Sequence, residues 1–194
     1  MSRGVNIAES TQYYSNNSYA NKTKPVVFLS HKSEDKKFVE AIGEYLMKAG
    51  INIYLDKNDF ELQKAVNNED SKKVTECIQK GIKKSDYILC FVSNKTINSW
   101  WVPYEIGYAT KADKKISTLV KSNVEYIPDF LKIEEIIDNI EDINIYIKRI
   151  IYENDLILME QKCFSEDNSK DHIVSPSKYH ELANYLKINK KRSN

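Results

Sequence analysis

Glycine is scarce in this chain, and none of its glycines lie in the pattern that binds a nucleotide phosphate. The 194 residues include five glycines, at positions 4, 43, 50, 81 and 107. No two of them are separated by a single residue, so the G-x-G-x-x-G dinucleotide fingerprint and the Gly-rich phosphate-binding loop are both absent. A nucleotide ligand must therefore be bound in another way.

Cysteine and long apolar runs are also lacking. The three cysteines, Cys77, Cys90 and Cys163, are far apart and include no Cys-x-x-Cys pair. Such a set indicates neither a disulfide framework nor a zinc site, so we expect no bound metal. No apolar run approaches the roughly 18 residues of a membrane span, and the first 30 residues lack a signal-peptide pattern. We expect a soluble cytoplasmic protein with no membrane contact.

Net charge is almost absent as well. The 29 lysines and arginines against 28 aspartates and glutamates leave a formal charge of +1. This balance provides no overall field to hold nucleic acid, and the basic end, Lys187 to Arg192, is typical of a solvated tail. Hydrophobic residues nevertheless make up 41% of the chain, which is enough for a globular core. We therefore expect a ligand that is recognised at a local site, and no nucleic-acid partner.

Short apolar runs alternate with helical patterns between residues 25 and 152. The alternation predicts a doubly wound, flavodoxin-like parallel sheet of five strands with flanking helices, an α/β fold. The predicted strands are Val26–Leu29, Ile51–Leu55, Tyr87–Val92, Ile116–Val120 and, more weakly, Val124–Leu131. The predicted helices cover about 34–49, a stretch from Ser71, a stretch from near Ser99, and the isoleucine-rich stretch 136–150.

The flanking regions carry different patterns. Residues 1–24 are polar without a lasting period, which predicts a flexible N-terminal arm. Residues 56–70 read as a long charged connection. In the predicted extension, residues 153–194, Ser175-Pro176 opens a helix with Tyr179, Leu182, Ala183 and Leu186 on one face. We thus divide the chain into an arm, a domain over 25–152 and a C-terminal helical extension.

Candidate ligand-binding residues follow from this fold, because doubly wound sheets bind ligands beyond the carboxyl ends of their strands. Ser30, His31 and Ser33 follow the first strand, and Asp56 follows the second. Ser93 follows the third strand, where a phosphotransfer receiver domain would carry its acceptor aspartate. That class of protein is therefore disfavoured.

The helix after the third strand contains the most specific local feature, two adjacent tryptophans followed by a glutamate. With Ser99 as N-cap, Trp101 and Glu105 fall on one helical face beside Tyr108. Glu105 is then a partly desolvated carboxylate near the strand ends, a setting in which acids acquire chemical roles. From spacing alone, a solvated surface glutamate is the commoner outcome.

Three motifs add weight to the functional interpretation. The stretch Val27-Phe28-Leu29-Ser30-His31-Lys32-Ser33-Glu34-Asp35 resembles the opening box of Toll/interleukin-1 receptor (TIR) domains, especially bacterial ones. Ser99-x-Trp101-Val102-x-x-Glu105-x-x-x-Ala109 is similar to the family's signature for the helix after strand three, and Ile78-x-x-Gly81-Ile82-x-x-Ser85-Asp86 resembles the end of its second helix. The resemblance covers about residues 25–152 and implies a TIR fold.

The resemblance also implies an activity, because many bacterial and plant members cleave NAD between nicotinamide and ribose. Glu105 takes the position of the family's catalytic glutamate. Substrate-binding roles then fall to the surrounding candidates, Ser30, His31, Ser33, Asp56, Ser99 and Trp101. NAD would be the substrate, so no cofactor is expected. Whether the product is ADP-ribose or a cyclic isomer is left open by the sequence.

Partners and alternatives come from the same resemblance. Compact bacterial TIR proteins of this kind resemble the sensor of Thoeris-type antiphage defence, which reaches a separate effector protein through a nucleotide signal. The family implies a homo-oligomer, although the loop Asp56–Phe60 lacks its usual proline or glycine, which argues against assembly through that loop. Two alternatives remain: a non-catalytic TIR interaction module, and a nucleoside deoxyribosyltransferase-like enzyme.

Overall fold

The computed structural model describes residues 2–9, 24–55, 59–160 and 179–188. Its centre is a five-stranded sheet in which every strand pair is parallel. The strands are β1 (Val26–Ser30), β2 (Asn52–Tyr54), β3 (Tyr87–Val92), β4 (Lys115–Val120) and β5 (Glu135–Ile137), in the order β2-β1-β3-β4-β5. This order is that of a flavodoxin-like doubly wound sheet, as the sequence predicted.

Helices cover both faces of the sheet. They are α1 (Lys36–Lys48), α2 (Phe60–Asn67), α3 (Ser71–Lys84), α4 (Trp101–Lys111), α5 (Asp129–Lys132) and α6 (Ile140–Glu160), and a 3-10 turn at Ser33–Asp35 precedes α1. Alternate strand residues enter two hydrophobic clusters, one with α1 and α6 and the other with α3 and α4. Because both faces are buried, β1 and β3 are continuous apolar runs, which explains why the sequence revealed them.

The chain reverses its winding direction between β1 and β3. From β1 the connection leads to β2 on one side, and the later strands are added on the other side. The carboxyl ends of β1 and β3 are therefore adjacent, and Ser30 pairs in register with Cys90. Ligands bind at such a switch point in open α/β sheets, so the fold places the candidate site here.

The region 56–70 differs from the predicted connection, because it contains α2. Asp59 caps this helix by accepting a hydrogen bond from the Leu62 backbone N–H at 3.1 Å, and Leu62 and Ala65 are buried. The next helix begins at Ser71 as expected, but Asp70 caps it by accepting from the Lys73 N–H at 2.9 Å. The sequence did not reveal α2, because only two of its eight residues, Leu62 and Ala65, are buried and the segment around them is charged.

The fifth strand was placed wrongly. Val124–Leu131 is not a strand: the chain there leads past Pro128 into α5, and β5 is Glu135–Ile137, paired with Ser117–Leu119. Proline lacks the N–H that a sheet ladder needs. Ile136 and Ile137, which the sequence assigned to the start of the last helix, supply β5 instead, and α6 begins only at Ile140.

Residues 2–9 differ from the expected flexible arm. They lie along the outer edge of β2, where the Ile53 N–H donates to Val5 O at 3.0 Å and the Ile7 N–H donates to Ile53 O at 2.8 Å. Gly4 allows this close approach, because a Cβ atom on it would lie 1.9 Å from Ile51 O. The remaining arm residues, 10–23, lie outside the described part of the chain.

Residues 179–188 form turns where the sequence predicted a helix. Of the expected apolar face, Leu182 and Leu186 are buried, whereas Tyr179 is exposed. The segment binds the domain through backbone groups: the Ser122 N–H donates to Tyr185 O at 2.8 Å, and the Ile140 N–H donates to Lys187 O at 2.9 Å. Ser175 and Pro176, the predicted helix start, lie outside the described residues. None of the helices in the described ranges is both long and apolar enough to cross a bilayer.

Replacing Tyr146 by phenylalanine should leave the protein equally stable or stabilise it by up to about 1 kcal/mol. The Tyr146 hydroxyl is buried without a hydrogen-bond partner among the described residues, and such a group costs about 1–3 kcal/mol. Urea unfolding measures the change. The matched control, Tyr45→Phe, removes two buried hydrogen bonds, one of 2.7 Å to Asn144 and one of 3.2 Å with His180, and should cost about 1–3 kcal/mol. Equal losses for both variants would contradict this interpretation.

Gly4→Ala should displace residues 2–9 from the β2 edge. The added methyl group would collide with the Ile51 backbone, and overpacking of this kind costs about 1–3 kcal/mol. Hydrogen exchange should show faster exchange of the Ile7 and Ile53 amides. Val5→Ala is the control, since the Val5 side chain is exposed. Unchanged protection in the glycine variant would show that the segment is not docked.

Candidate active site

Glu105 lies in α4 and is buried, with 3% of its surface exposed. Ser30, at the end of β1, donates a hydrogen bond from Oγ to Glu105 Oε2 at 2.5 Å. The neighbouring α4 residues Val102 and Ile106 are buried against the sheet. The sequence predicted a partly desolvated carboxylate, and burial in the structure is more complete than that. Two residues 75 positions apart therefore meet at the switch point.

Cys90 is a site residue that the sequence reasoning missed. It pairs in register with Ser30, and its side chain is fully buried. Burial, and then the charge of Glu105, raise the pKa of the Cys90 thiol far above its usual range. The thiol is therefore neutral and is not suited to act as a nucleophile. Cys90 lies inside β3, three positions before Ser93, so its strand register with Ser30 was the signal that could have found it.

The start of α4 carries Ser99 and the two tryptophans. The Val102 N–H donates to Ser99 Oγ at 3.3 Å, so Ser99 caps the helix although regular helix begins at Trp101. Trp100 is 91% exposed and Trp101 is 42% exposed, with the Trp101 ring edge-on to Tyr104 at 5.9 Å. Trp101 and Glu105 therefore do not share one face as predicted. Glu105 is turned inward, whereas Trp101, one turn before it, lies at the surface.

The sequence predicted three further substrate-binding residues, His31, Ser33 and Asp56, and they differ in what the structure shows of them. His31 is half-buried, its Nδ1 donates to Leu29 O at 2.9 Å, and its ring meets Phe91 edge-on at 6.5 Å. That bond leaves Nε2 as the acceptor of the neutral ring. Ser33 is exposed and donates from Oγ to Glu34 Oε2 at 3.0 Å. Asp56 lies outside the described residues.

A second buried pair joins the two loops around the site. Ser93, after β3, donates from Oγ to Asp35 Oδ2 at 2.6 Å, and both side chains are buried. The Lys95 N–H donates to Ser93 Oγ at 3.1 Å, and the Ser93 N–H donates to Thr96 Oγ1 at 2.9 Å. The sequence assigned Asp35 only to a helical first turn. The adjacency of the β1 and β3 ends could have indicated the pair.

This arrangement can stabilise positive charge. A carboxylate taken out of water interacts more strongly with a cation than an exposed one, and its hydrogen bond from Ser30 fixes its orientation. Within the described ranges, no three His, Cys, Asp or Glu side chains are grouped so that they could hold a metal ion.

Comparison with known protein families gives a match over the sheet domain. The family described as TIR domain matches residues 27–147. A curated relative, the NAD(+) hydrolase TirS of Staphylococcus aureus (strain MSSA476), is 36% identical over 80 residues, which are 41% of this chain and 26% of the relative. The chain thus spans about a quarter of that relative's length.

Among solved structures, a Clostridium botulinum CMP N-glycosidase, BcmB, is 22% identical, with a TM-score of 0.42 over 58% of this chain and 84% of that chain. The family match spans more than half of the chain. It includes Ser30 at the end of β1 and Glu105 in α4. This protein is therefore a member of the TIR domain family.

Proposed function

We propose that this protein is an NAD nucleosidase that cleaves the bond between nicotinamide and ribose, with Glu105 as its catalytic carboxylate. The observation that carries the proposal is the buried Glu105 carboxylate, oriented by Ser30 at the switch point of the sheet. Membership of the TIR family and the relative named NAD(+) hydrolase support the choice of substrate.

The chemistry needs one well-placed carboxylate. Nicotinamide leaves the cationic substrate as a neutral ring, so the glycosidic bond breaks without an acid to protonate the leaving group. Positive charge then develops on the ribose, as in other glycosyl transfers with oxocarbenium-like transition states. Glu105 would stabilise this charge through space and accept hydrogen bonds from ribose hydroxyls. Ser30 would keep the carboxylate in the reactive orientation.

The surrounding residues are proposed to bind the rest of NAD. His31 and Ser33 follow β1 and would contact the ribose and the phosphates, and Asp56 follows β2. Ser99 and Trp101 begin the helix that carries Glu105, so Trp101 would shape the pocket above the carboxylate. Water or another part of the same NAD molecule would capture the ribosyl cation, giving ADP-ribose or a cyclic isomer.

A signalling role extends the proposal. The product would act as a nucleotide signal for a separate effector protein in the cytoplasm, as the resemblance to Thoeris-type antiphage sensors suggests. Assembly of copies through TIR contacts would accompany activation. An assay of the purified protein with and without lysate from phage-infected cells tests this role, since a sensor would gain activity only with the infected lysate.

Glu105→Gln should remove nearly all turnover. The variant keeps a hydrogen-bond acceptor for Ser30 but loses the negative charge, so NAD cleavage should fall by a factor on the order of 100 to 1,000. Chromatography of nicotinamide and the ADP-ribose products measures it. The free energy of unfolding should stay within about 1 kcal/mol. The matched control is Glu76→Gln on the exposed face of α3. Retained turnover in Glu105→Gln would rule out the catalytic assignment.

The same assay separates the alternatives. Release of free base from a nucleoside, with NAD left intact, would favour the deoxyribosyltransferase-like enzyme. Folded protein that cleaves neither substrate, with or without infected lysate, but binds other TIR domains would favour the interaction module. Either result would replace the proposed function.

Ser30→Ala should lower kcat on the order of 10- to 100-fold with little change in KM. The variant removes a hydrogen bond to a charged group, an interaction of about 1.5–3 kcal/mol that orients Glu105. Steady-state kinetics measure both constants. Ser71→Ala, an exposed serine at the start of α3, is the control and should match the wild type. A change confined to KM would mean that Ser30 only binds substrate.

A further inference from the structure

Residues 179–188, which we name the C-terminal brace, lie beyond the part of the chain that matches the TIR family. Both ends of the brace are tied to the domain. Near its start, Lys48 on α1 donates to Glu181 at 2.6 Å, and near its end Lys187 donates to Asp138 at 2.8 Å. Between them, Leu182 and Leu186 enter the hydrophobic cluster on the α1 and α6 face. The brace is thus part of the core.

A buried polar cluster fixes the first turn of the brace. The Leu182 N–H donates to His180 Nδ1 at 3.2 Å, so the proton of the neutral imidazole is on Nε2. Nε2 lies 3.2 Å from the Tyr45 hydroxyl, which donates to Asn144 Oδ1 at 2.7 Å. Hydrogen bonds therefore link the brace to both α1 and α6.

Tyr185 extends from the brace toward the candidate site through a row of aromatic rings. Its ring stacks on Phe38 of α1 at 5.4 Å and 23°. Phe38 meets Phe91 of β3 edge-on at 5.2 Å and 80°, and Phe91 meets His31 edge-on at 6.5 Å and 72°. The row runs without a break from the brace to a residue at the carboxyl end of β1.

The two middle rings of this row are fully enclosed. Phe38 and Phe91 are both buried, and close-packed interiors transmit the displacement of one side chain to the next. Edge-on and stacked aromatic pairs also have preferred geometries, so the position of each ring constrains that of its neighbour. Loss of the Tyr185 ring would let Phe38 relax, and Phe91 with it, so that the ring against which His31 rests would move.

We propose that Tyr185 is a positioning residue that acts on His31 through Phe38 and Phe91, so that the docked brace completes the substrate site. The inference rests on the proposed function, because His31 is a substrate-binding residue there. The brace, which lies outside the part of the chain that matches the family, would then contribute to NAD binding. Docking of the brace then sets substrate affinity without touching Glu105, which lies on the opposite face of the sheet with α4.

The test compares Tyr185→Ala, which removes the ring, with Tyr185→Phe, which keeps it, in the full chain. Tyr179→Ala is the matched control, because Tyr179 belongs to the brace but is exposed. Without NAD, the ring resonances of His31 should shift in Tyr185→Ala alone, since the ring current from Phe91 depends on its position. With NAD, KM should rise about fivefold and kcat should stay within about twofold.

A double-mutant cycle separates positioning from general stability. In a His31→Ala background, Tyr185→Ala should cause no further rise in KM, because the residue through which it acts is gone. An equal rise in both backgrounds, or unshifted His31 resonances in Tyr185→Ala, would overturn the proposal. Tyr185→Leu, which keeps an apolar side chain, replaces the alanine variant where that variant does not fold. A wild-type protein that leaves NAD intact both with and without infected lysate would refute the proposed function, and the resonance shifts would still decide the role of the brace.

Discussion

The parallel pairing of β1 with β3 is the constraint on which the candidate site depends. It brings Ser30 beside Cys90 and places the two following loops next to each other, where Asp35 and Ser93 join them. Alternation along β1 then sends Ser30 toward α4 and Glu105, and the next residue, His31, toward Phe91 on the other face. The site is therefore built from both layers of helices, with the carboxylate supplied by one and the aromatic support by the other.

Local patterns were sufficient for the elements that are long or buried on both faces. β1, β3, β4 and α3 were found nearly at their observed bounds, because their apolar residues are continuous or fall on one helical stripe. β5 and α2 were missed because their apolar patterns are short. β5 has three residues, and α2 has only two buried ones, so both resemble ordinary connections between elements. Their formation depends on what they pack against, namely β4 for β5 and α3 for α2.

The site was predictable residue by residue but not as a set of contacts. Ser30 and Glu105 were each singled out from the sequence, yet their contact depends on how α4 lies across the sheet. Asp35 was read as part of a helix start, because no local pattern reveals a partner 58 positions away. The docking of residues 2–9 and 179–188 was missed in the same way, since a polar arm and a short extension bind surfaces that exist only once the domain has folded.

The position of residues 2–9 also limits how copies of this protein can associate. An open strand edge is a template that another chain can extend by backbone pairing. With the β2 edge already taken by Val5 and Ile7, β5 is the remaining terminal strand of the sheet in the described part of the chain. An assembly that extended the sheet directly from the β2 edge would therefore first have to release the N-terminal segment.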